Sequence, residues 1–387
     1  MEEAAFFVDE ELLKHDRHVT IKSGKAYIFC MKNIYRGIDV DEYVFEKTNT
    51  YIRKFDKVID VSIGDVTEPI AKKVAEAGAK AAIELSEKKS MRGYPPHDGY
   101  KFLKNAIVNY YLKKNIVITA DQVFVTHGIK DDLASTLSLF DGITVSVPRV
   151  GYPAYKDICR LFGHKTKYYD KAEDADGDVV IICSPSNPTG EECGVELLSH
   201  TIKSAINNNR IVLFDAAYEA FSDGVGSVLS IEGAKKVAIE FCSLSKTAGF
   251  TGIRCGYTLL SQENSIYSRY KRAKAIACNG VSYVTQRMAE AALTIAKDDV
   301  KNIVKYYLRS QAIISQEVGI QPTNSPYVWV KIGDGDKAFR QIIERYNVAV
   351  MPGSAFGDGS YVRASAFCDH VTAKKVGEAI SAYKKIQ

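Results

Sequence analysis

The sequence predicts an α/β fold, with a large domain built on a mainly parallel sheet covered by helices and a smaller α+β domain. From about residue 122, apolar runs of strand length alternate with turns and helical patterns, as in a parallel sheet. Runs such as Val179–Cys183 are apolar throughout, which is typical of strands buried on both faces. The length of 387 residues also exceeds one ordinary compact core. We expect an N-terminal arm over 1–50 that joins the small domain, the large domain over 51–284, and the small domain over 285–387.

Composition and charge narrow the class of function. Lys and Arg number 51 against 47 Asp and Glu, and the formal net charge of +4 gives no footprint for nucleic acid or an anionic membrane. The longest apolar stretches have strand length, and the N-terminus is acidic where a secretory signal would be basic. Eight cysteines are scattered without a Cys-x-x-Cys pair, which favours a reducing compartment and no metal site. We therefore expect a cytoplasmic protein.

The first part of the chain predicts four elements after a charged and aromatic arm. The arm contains a cluster of glycine and aromatic residues at 24–29, which includes Tyr27. We expect a strand over 58–63 and helices over 71–86 and 100–112, where the apolar residues recur with helical period. Between the helices, the segment 92–99 holds too many glycines and prolines to be anything but a turn.

The middle of the chain predicts the strands of the large sheet, and the end predicts a different architecture. We expect strands over 122–126, 144–147, 179–183, 210–214, 237–242 and 255–260. A helix that begins after Gly128-Ile129-Lys130 and runs to 140 places backbone N–H groups and a lysine at a helix N-terminus, which is an anion site. Beyond residue 285 we expect helices over 286–295 and 300–317 and short strands over 327–332 and 361–365.

Lys246 lies at the carboxyl end of a predicted parallel strand, where open α/β sheets place their ligands. Lysine condenses with aldehydes, and burial or nearby cations lower its pKa so that a neutral amine exists. Ser243, Ser245 and Arg254 supply two hydroxyls and a guanidinium for one phosphate dianion. An amine beside a phosphate cradle favours pyridoxal phosphate. The alternatives are a surface lysine in a loop rich in Ser and Thr, and a nucleotide-binding P-loop, which lacks its glycines here.

Further polar residues follow neighbouring predicted strands, at a spacing of about one βα unit. Asp215 near a pyridine nitrogen would keep that nitrogen protonated, so that the ring acts as an electron sink. Asn187 and Tyr218 suit the ring's phenolate oxygen, and Tyr152 suits stacking on the ring. Taken singly, each residue has an ordinary alternative, which is a helix cap, turn chemistry or packing. Together they predict Lys246, Asp215 and Tyr218 as the catalytic residues.

Several motifs resemble the fold type I, class I/II aminotransferases, from about residue 55 to the end of the chain. They are Ser-Pro-Ser-Asn187-Pro-Thr-Gly, Asp215-Ala-Ala-Tyr218, and Ser-Leu-Ser-Lys246 followed by Arg254. Within that group the chain resembles the LL-diaminopimelate aminotransferases, through Ser62 to Pro69, Asn279-Gly280-Val281-Ser282, Pro326 to Val330 and Tyr361-Val362-Arg363. The resemblance implies a sheet of the seven-stranded type and a pyridoxal-phosphate enzyme that transaminates LL-diaminopimelate with 2-oxoglutarate in lysine biosynthesis.

The resemblance also implies roles for individual residues. Lys246 would hold the cofactor, and Ile129, Lys130, Ser243, Ser245 and Arg254 would surround its phosphate. Arg363 would bind the substrate α-carboxylate, and the substrate site would comprise Tyr27, Gly64, Lys130, Tyr152, Asn187 and Arg363. Tyr27, Tyr94 and Asn279 match positions that reach the site across a homodimer interface, where Tyr94 and Asn279 contact the cofactor. The partners implied are an amino acid and a 2-oxo acid, without nucleic acid or membrane.

The chain departs from the pattern in the turn Gly93-Tyr94-Pro95-Pro96-His97-Asp98-Gly99. His97 stands where the related enzymes carry an acidic residue that helps to hold the distal ammonium of the substrate, and Asp98 is one position away. The alternatives are therefore an aminotransferase or C–S lyase for another amino acid, which the same electron sink permits, and a cofactor-binding protein without turnover.

Overall fold

A computed structural model describes residues 18–22, 25–29, 43–222 and 224–386 of the chain. It divides into two compact units, 1–41 and 42–387. In the first unit, β1 (His18–Lys22) pairs antiparallel with β2 (Lys25–Phe29), with Tyr27 opposite Thr20. The predicted cluster of glycine and aromatic residues therefore contains the strand β2.

The second unit contains the remaining strands and the helices. The strands are β3 (Ile59–Asp60), β4 (Val123–Thr126), β5 (Thr144–Pro148), β6 (Lys165–Tyr169), β7 (Val179–Cys183), β8 (Ile211–Asp215), β9 (Ala238–Ser243), β10 (Gly256–Leu260), β11 (Tyr327–Lys331), β12 (Val348–Ala349), β13 (Met351–Pro352) and β14 (Tyr361–Ser365). The helices are α1 (Val44–Ile52), α2 (Lys72–Ser86), α3 (Lys101–Leu112), α4 (Ile129–Leu137), α5 (Ala154–Leu161), α6 (Val195–Asn207), α7 (Ala234–Val237), α8 (Leu244–Thr247), α9 (Tyr267–Ala277), α10 (Tyr283–Leu293), α11 (Lys297–Val318), α12 (Gly335–Tyr346) and α13 (His370–Ile386). None of these helices has the length and apolar composition that crossing a bilayer requires.

The large sheet confirms the predicted α/β class. Within the described ranges it has seven strands in the order β4-β10-β9-β8-β7-β5-β6, and β10 runs antiparallel to both of its neighbours. β4 and β7 are buried along their whole length, as their continuous apolar runs predict. β6 escaped prediction because its lysine-rich segment, with three of its five residues exposed, looks like a loop. Such a composition suits an edge strand, where charge discourages further pairing.

The C-terminal part of the chain forms a smaller antiparallel sheet in the order β11-β14-β13. β3 pairs parallel with β12, although we expected the strand near residue 60 in the domain that begins at residue 51. The arm prediction also missed α1, whose Ile52 packs on Phe339 and Ile343 of α12. The segment from α1 to β3 therefore packs with the C-terminal elements and not in the large sheet.

The parallel direction of β7, β8 and β9 brings their carboxyl ends to one edge of the sheet. Asp215 at the end of β8 lies opposite Cys183 at the end of β7. β9 ends at Ser243, and α8 with Lys246 follows it directly. The topology therefore assembles the polar residues that the sequence places at successive strand ends.

A buried ion pair fixes the helix that follows β4. Asp132 in the first turn of α4 is fully buried and accepts hydrogen bonds from Thr258 on β10, from Tyr270 at 2.6 Å and from the Lys274 ammonium at 2.8 Å. These three donors tie the N-terminal end of α4 to β10 and α9. They therefore position the backbone N–H groups at Ile129 and Lys130.

We predict that Asp132→Ala lowers the free energy of unfolding by about 3–5 kcal/mol, because it leaves the Lys274 ammonium buried without its partner. Denaturant unfolding monitored by circular dichroism measures the change. Asp299→Ala is the matched control. The side chains of Asp299 and Lys73 are about half exposed, with the carboxylate and ammonium 3.5 Å apart, and such a pair contributes less than about 1 kcal/mol. Equal losses in the two variants would contradict a structural role of the buried pair.

Candidate active site

A cavity of about 440 Å³ lies at the carboxyl edge of the large sheet, against β11 and β14. Most of the predicted site residues line it, namely Gly64, Ile129, Lys130, Tyr152, Asn187, Asp215, Tyr218, Ser243, Ser245, Lys246, Arg254 and Arg363. A larger groove of about 920 Å³ adjoins it and shares Cys183, Asn187 and Tyr327, but Lys246 does not line that groove. The smaller cavity is therefore the candidate active site.

The amine of Lys246 is prepared for nucleophilic chemistry. Ser243 caps α8 by accepting a hydrogen bond from the Ser245 N–H at 3.0 Å, and the Lys246 ammonium donates to the carbonyl oxygen of Gly64. Burial, helped by the nearby cations Arg363 and Arg254 and opposed by Asp65, lowers the pKa of Lys246 to about 8. A substantial fraction of this amine is therefore neutral near pH 8.

The predicted phosphate cradle is assembled around the N-terminus of α4. Arg254 donates to the Ser245 hydroxyl at 3.3 Å and to the carbonyl of Thr251 at 3.0 Å. Gly128 has φ of 130°, and a Cβ there would lie 2.6 Å from the guanidinium of Arg254. This backbone conformation favours glycine, and a side chain at position 128 would also displace the end of Arg254. The exposed Asp131, 3.6 Å from Arg254, adds one acidic group at the rim.

Asp215 is a buried carboxylate held by two donors. Its Oδ1 accepts from the N–H of Ala217 at 3.0 Å, and its Oδ2 accepts from the Tyr155 hydroxyl at 2.7 Å. Burial raises the pKa of Asp215 to about 6, although both donors oppose the shift. Sequence reasoning missed Tyr155, whose only signal is its position three residues after Tyr152, on the first turn of α5.

Tyr327 is a second site residue that the sequence analysis missed, because it appears there only within a motif and is given no role. Its hydroxyl lies 2.8 Å from the hydroxyl of Tyr218. A Cβ at Gly64 would lie 2.3 Å from the same oxygen of Tyr327, so a side chain at position 64 would displace this tyrosine pair. The requirement for glycine at position 64 is therefore steric.

Arg363 carries a buried positive charge that no carboxylate of the described residues neutralises within 4 Å. Its two terminal nitrogens donate to Asn187 Oδ1 at 2.8 Å and to the Ser62 carbonyl at 2.5 Å. Its Nε has no partner in the described chain. The rings of Tyr327 and Phe356 lie 4.4 and 4.5 Å from the guanidinium. A buried cation with neutral neighbours favours an anionic ligand.

Two predicted residues of the second unit, Tyr94 and Asn279, do not line the cavity. Tyr27 belongs to the first unit, on β2. Tyr94 is 86% exposed, and Asn279 is also exposed. A Cβ at Gly280 would lie 2.4 Å from the carbonyl of Pro96, so the turn that carries Tyr94 packs against the loop that carries Asn279. The structure therefore brings these two loops together on the surface of the second unit.

In the turn at 93–99, the charged side chain of Asp98 has a partner within the chain. Asp98 pairs with the ammonium of Lys104 at 2.6 Å, and that lysine is only 7% exposed. The Asp98 carbonyl also accepts from the N–H of Val125 at 3.1 Å. His97 has a buried Nε2 without a partner among the described residues. The carboxylate next to His97 is therefore engaged in holding α3.

Comparison with known proteins gives a consistent family. The profile described as Aminotransferase class I and II matches residues 56–382. The LL-diaminopimelate aminotransferase of Bacteroides thetaiotaomicron is 34% identical, over 84% of this chain and 92% of that protein. The enzyme of that name from Prochlorococcus marinus is 32% identical, over 87% and 95% of the two chains. The structure of L,L-diaminopimelate aminotransferase from Chlamydomonas reinhardtii has a TM-score of 0.83 at 28% identity, and the match covers 91% of this chain and 98% of that one.

We predict that the Lys246 amine of the cofactor-free protein titrates near pH 8, because burial disfavours its charged form. Reductive methylation with 13C-formaldehyde followed by NMR reports the pKa of each lysine, and exposed lysines titrate near about 10.4. Lys246→Arg identifies the signal by its disappearance. A Lys246 signal that titrates together with the signals of the exposed lysines would refute the activated amine.

Proposed function

The chain belongs to the class I and II aminotransferases, and from this premise we propose that it uses pyridoxal phosphate to move the amino group of LL-diaminopimelate to 2-oxoglutarate. The observation that carries the proposal is the buried Arg363, which has no counter-ion among the described residues and lines the same cavity as Lys246. The α-carboxylate of an amino acid would supply the anionic partner that this guanidinium does not have within the described chain. The names of the relatives from Bacteroides and Prochlorococcus support the choice of donor.

The residues present fit pyridoxal phosphate. The Lys246 amine would hold its aldehyde carbon, and Ile129, Lys130, Ser243, Ser245 and Arg254 would hold its phosphate. Asp215 would face the pyridine nitrogen. Asn187 accepts from Arg363 through its Oδ1, which leaves its amide hydrogens for the ring oxygen together with the Tyr218 hydroxyl. Tyr152 would stack on the ring. When bound, the cofactor supplies an electron sink for the negative charge at the substrate Cα.

The chain's own residues then orient the substrate and move one proton. Arg363 would clamp the α-carboxylate through parallel N–H donors, which fixes the direction of the Cα–H bond. The Lys246 amine has a pKa near 8, so its neutral form suits taking the proton from the substrate Cα. The same amine would return the proton at the aldehyde carbon of the cofactor. The carbonyl of Gly64 holds this amine in place, and the pair of tyrosines at 218 and 327 limits the space beside it.

Recognition of the distal end of the substrate distinguishes the proposed function from a second candidate. Asp98 pairs with Lys104, so a distal ammonium would compete with a buried lysine for this carboxylate. This observation favours a second candidate, in which the enzyme transaminates another amino acid or acts on it as a C–S lyase. Release of ammonia and a keto acid without 2-oxoglutarate would distinguish the lyase.

We predict that the purified protein with pyridoxal phosphate forms glutamate from LL-diaminopimelate and 2-oxoglutarate. Arg363→Lys should raise KM for every amino donor by a similar factor of about 10–100, because a lysine cannot form the bidentate contact with the α-carboxylate common to them. Initial rates over a panel of donors measure both effects. Arg149→Lys is the control, because the exposed Arg149 makes its bidentate contact to Asp170 outside the cavity.

Two outcomes would change the proposal. A wild-type enzyme that ignores LL-diaminopimelate but uses another donor would support the second candidate. An Arg363→Lys variant with unchanged KM for all donors would show that the α-carboxylate binds elsewhere.

We further propose that the enzyme is a homodimer with shared active sites. Tyr94 and Asn279 lie on adjoining exposed loops outside the cavity of their own chain, so a second copy would be the one to use them. We predict that mixing an inactive Lys246→Ala protein with an inactive Tyr94→Ala/Asn279→Ala protein restores activity, because a hybrid dimer holds one intact site. Activity after joint refolding and the mass in solution provide the measurement. A monomeric mass without recovered activity would contradict shared sites.

A further inference from the structure

We propose that Tyr155 is a positioning residue that holds the charge of Asp215, so that the proton between this carboxylate and a bound pyridine ring stays on the ring nitrogen. The inference rests on the proposed function, and it concerns the side of the carboxylate that faces away from the reaction. The carrying observation is the 2.7 Å hydrogen bond from the Tyr155 hydroxyl to Asp215 Oδ2. Tyr155 is 2% exposed and Asp215 is 7% exposed, so water does not replace the bond.

The position of the proton in a buried acid–base pair depends on the neighbours of each partner. A carboxylate and a pyridine in a poorly solvated site favour the neutral arrangement, with the proton on the carboxyl oxygen, because burial disfavours separated charges. A donor to the carboxylate opposes this and makes the carboxylate a weaker base. Asp215 has two such donors, the Ala217 N–H and the Tyr155 hydroxyl. Only the second belongs to a side chain.

The surroundings of Asp215 leave this task to Tyr155. The other titratable groups that face the carboxylate are Cys183 at the end of β7 and the hydroxyls of Tyr152, Tyr218 and Tyr327. None of them is a cation at neutral pH. Burial, with Asp215 adding to it, raises the pKa of Tyr155, so its hydroxyl keeps the proton that it donates. The carboxylate therefore depends on neutral donors for its ionisation.

The first experiment reads the carboxylate without any cofactor. The pKa of Asp215 is about 6 in the folded protein, above its unfolded value, so this group favours folding below about pH 4 and the contribution is lost as pH rises through 6. Tyr155→Phe should move that loss to higher pH by about one to two pH units, since a hydrogen bond to a charged group contributes a factor of about 10–100. Denaturant unfolding of the apoprotein between pH 4 and 8 measures the shift. Asp215→Asn should remove this component of the pH dependence and make the remaining profile insensitive to Tyr155→Phe.

The second experiment reads the ring. Protein loaded with pyridoxal phosphate that carries 15N in the ring reports by its NMR shift whether the nitrogen is protonated. Tyr155→Phe should move the shift toward that of an unprotonated nitrogen and lower kcat about 10- to 100-fold, with a smaller change in KM. Placing 3-fluorotyrosine at position 155, which strengthens the donor without changing the packing, should move the nitrogen shift in the opposite direction.

The matched control is Tyr169→Phe. Tyr169 is also buried in the large domain, and its hydroxyl donates at 2.6 Å to the carbonyl of Ile181, away from Asp215. This variant should lose a similar amount of stability without moving either pH profile or the nitrogen shift. Equal behaviour of the two variants, or an unchanged nitrogen shift in Tyr155→Phe and in the fluorotyrosine protein, would overturn the proposal.

Failure of the proposed function has a different signature. A wild-type protein that transaminates no donor would refute that function, while the apoprotein titration would still show whether Tyr155 sets the pKa of Asp215. An unshifted titration in an active wild-type background would refute the role of Tyr155 alone.

Discussion

Burial of charge without a full set of partners is the constraint on which the candidate site depends. Lys246, Asp215 and Arg363 line one cavity, and no ion pair within 4 Å neutralises any of them in the described part of the chain. Burial is the largest cause that lowers the pKa of the lysine and raises the pKa of the aspartate, and it brings both values toward neutral pH. A cofactor with an aldehyde and a ring nitrogen, together with a substrate carboxylate, would satisfy all three groups. These groups can form hydrogen bonds and ion pairs with such ligands that they do not form within the free protein, and those contacts contribute to the free energy of binding.

The contrast with two other buried carboxylates shows that this shortage is local. Glu240 lies on β9, the strand that precedes Lys246. Its carboxylate accepts hydrogen bonds from the Tyr111 hydroxyl at 2.7 Å, from the Ser227 hydroxyl at 2.5 Å and from the Val228 N–H at 2.9 Å. Asp132 has three donors, one of them the ammonium of Lys274. These two groups are satisfied by the fold and fix the elements that carry the site. The residues of the cavity, in contrast, retain unused hydrogen-bonding capacity, such as Arg363 Nε.

The sequence predicts those parts of the structure that depend on local pattern and strand direction. The bounds predicted for β7 and β14 agree with the structure to the residue, and nearly all residues of both strands are buried. Asn187, Asp215 and Lys246 could be grouped because parallel strands deliver their carboxyl ends to one edge. α1 and the pairing of β3 with β12 were missed, because both depend on contacts with residues almost 300 positions away. Tyr155 and Tyr327 escaped for a related reason, since a tyrosine gives the same local signal whether its hydroxyl faces a carboxylate or solvent.

The same reasoning accounts for the turn at 93–99, where similarity to a family and the structure of one chain lead to different conclusions. Asp98 is near enough in sequence to replace the acidic residue that His97 displaces, but its carboxylate already neutralises the nearly buried Lys104. Moving Asp98 to a substrate would leave that lysine buried without a partner, at a cost comparable to what the new contact contributes. The histidine, with a buried Nε2 and no partner among the described residues, is the group in this turn whose hydrogen bonding remains unsatisfied. The position of Asp98 one residue after His97 therefore does not by itself make it a replacement for an acidic residue, because this carboxylate already holds α3 through Lys104.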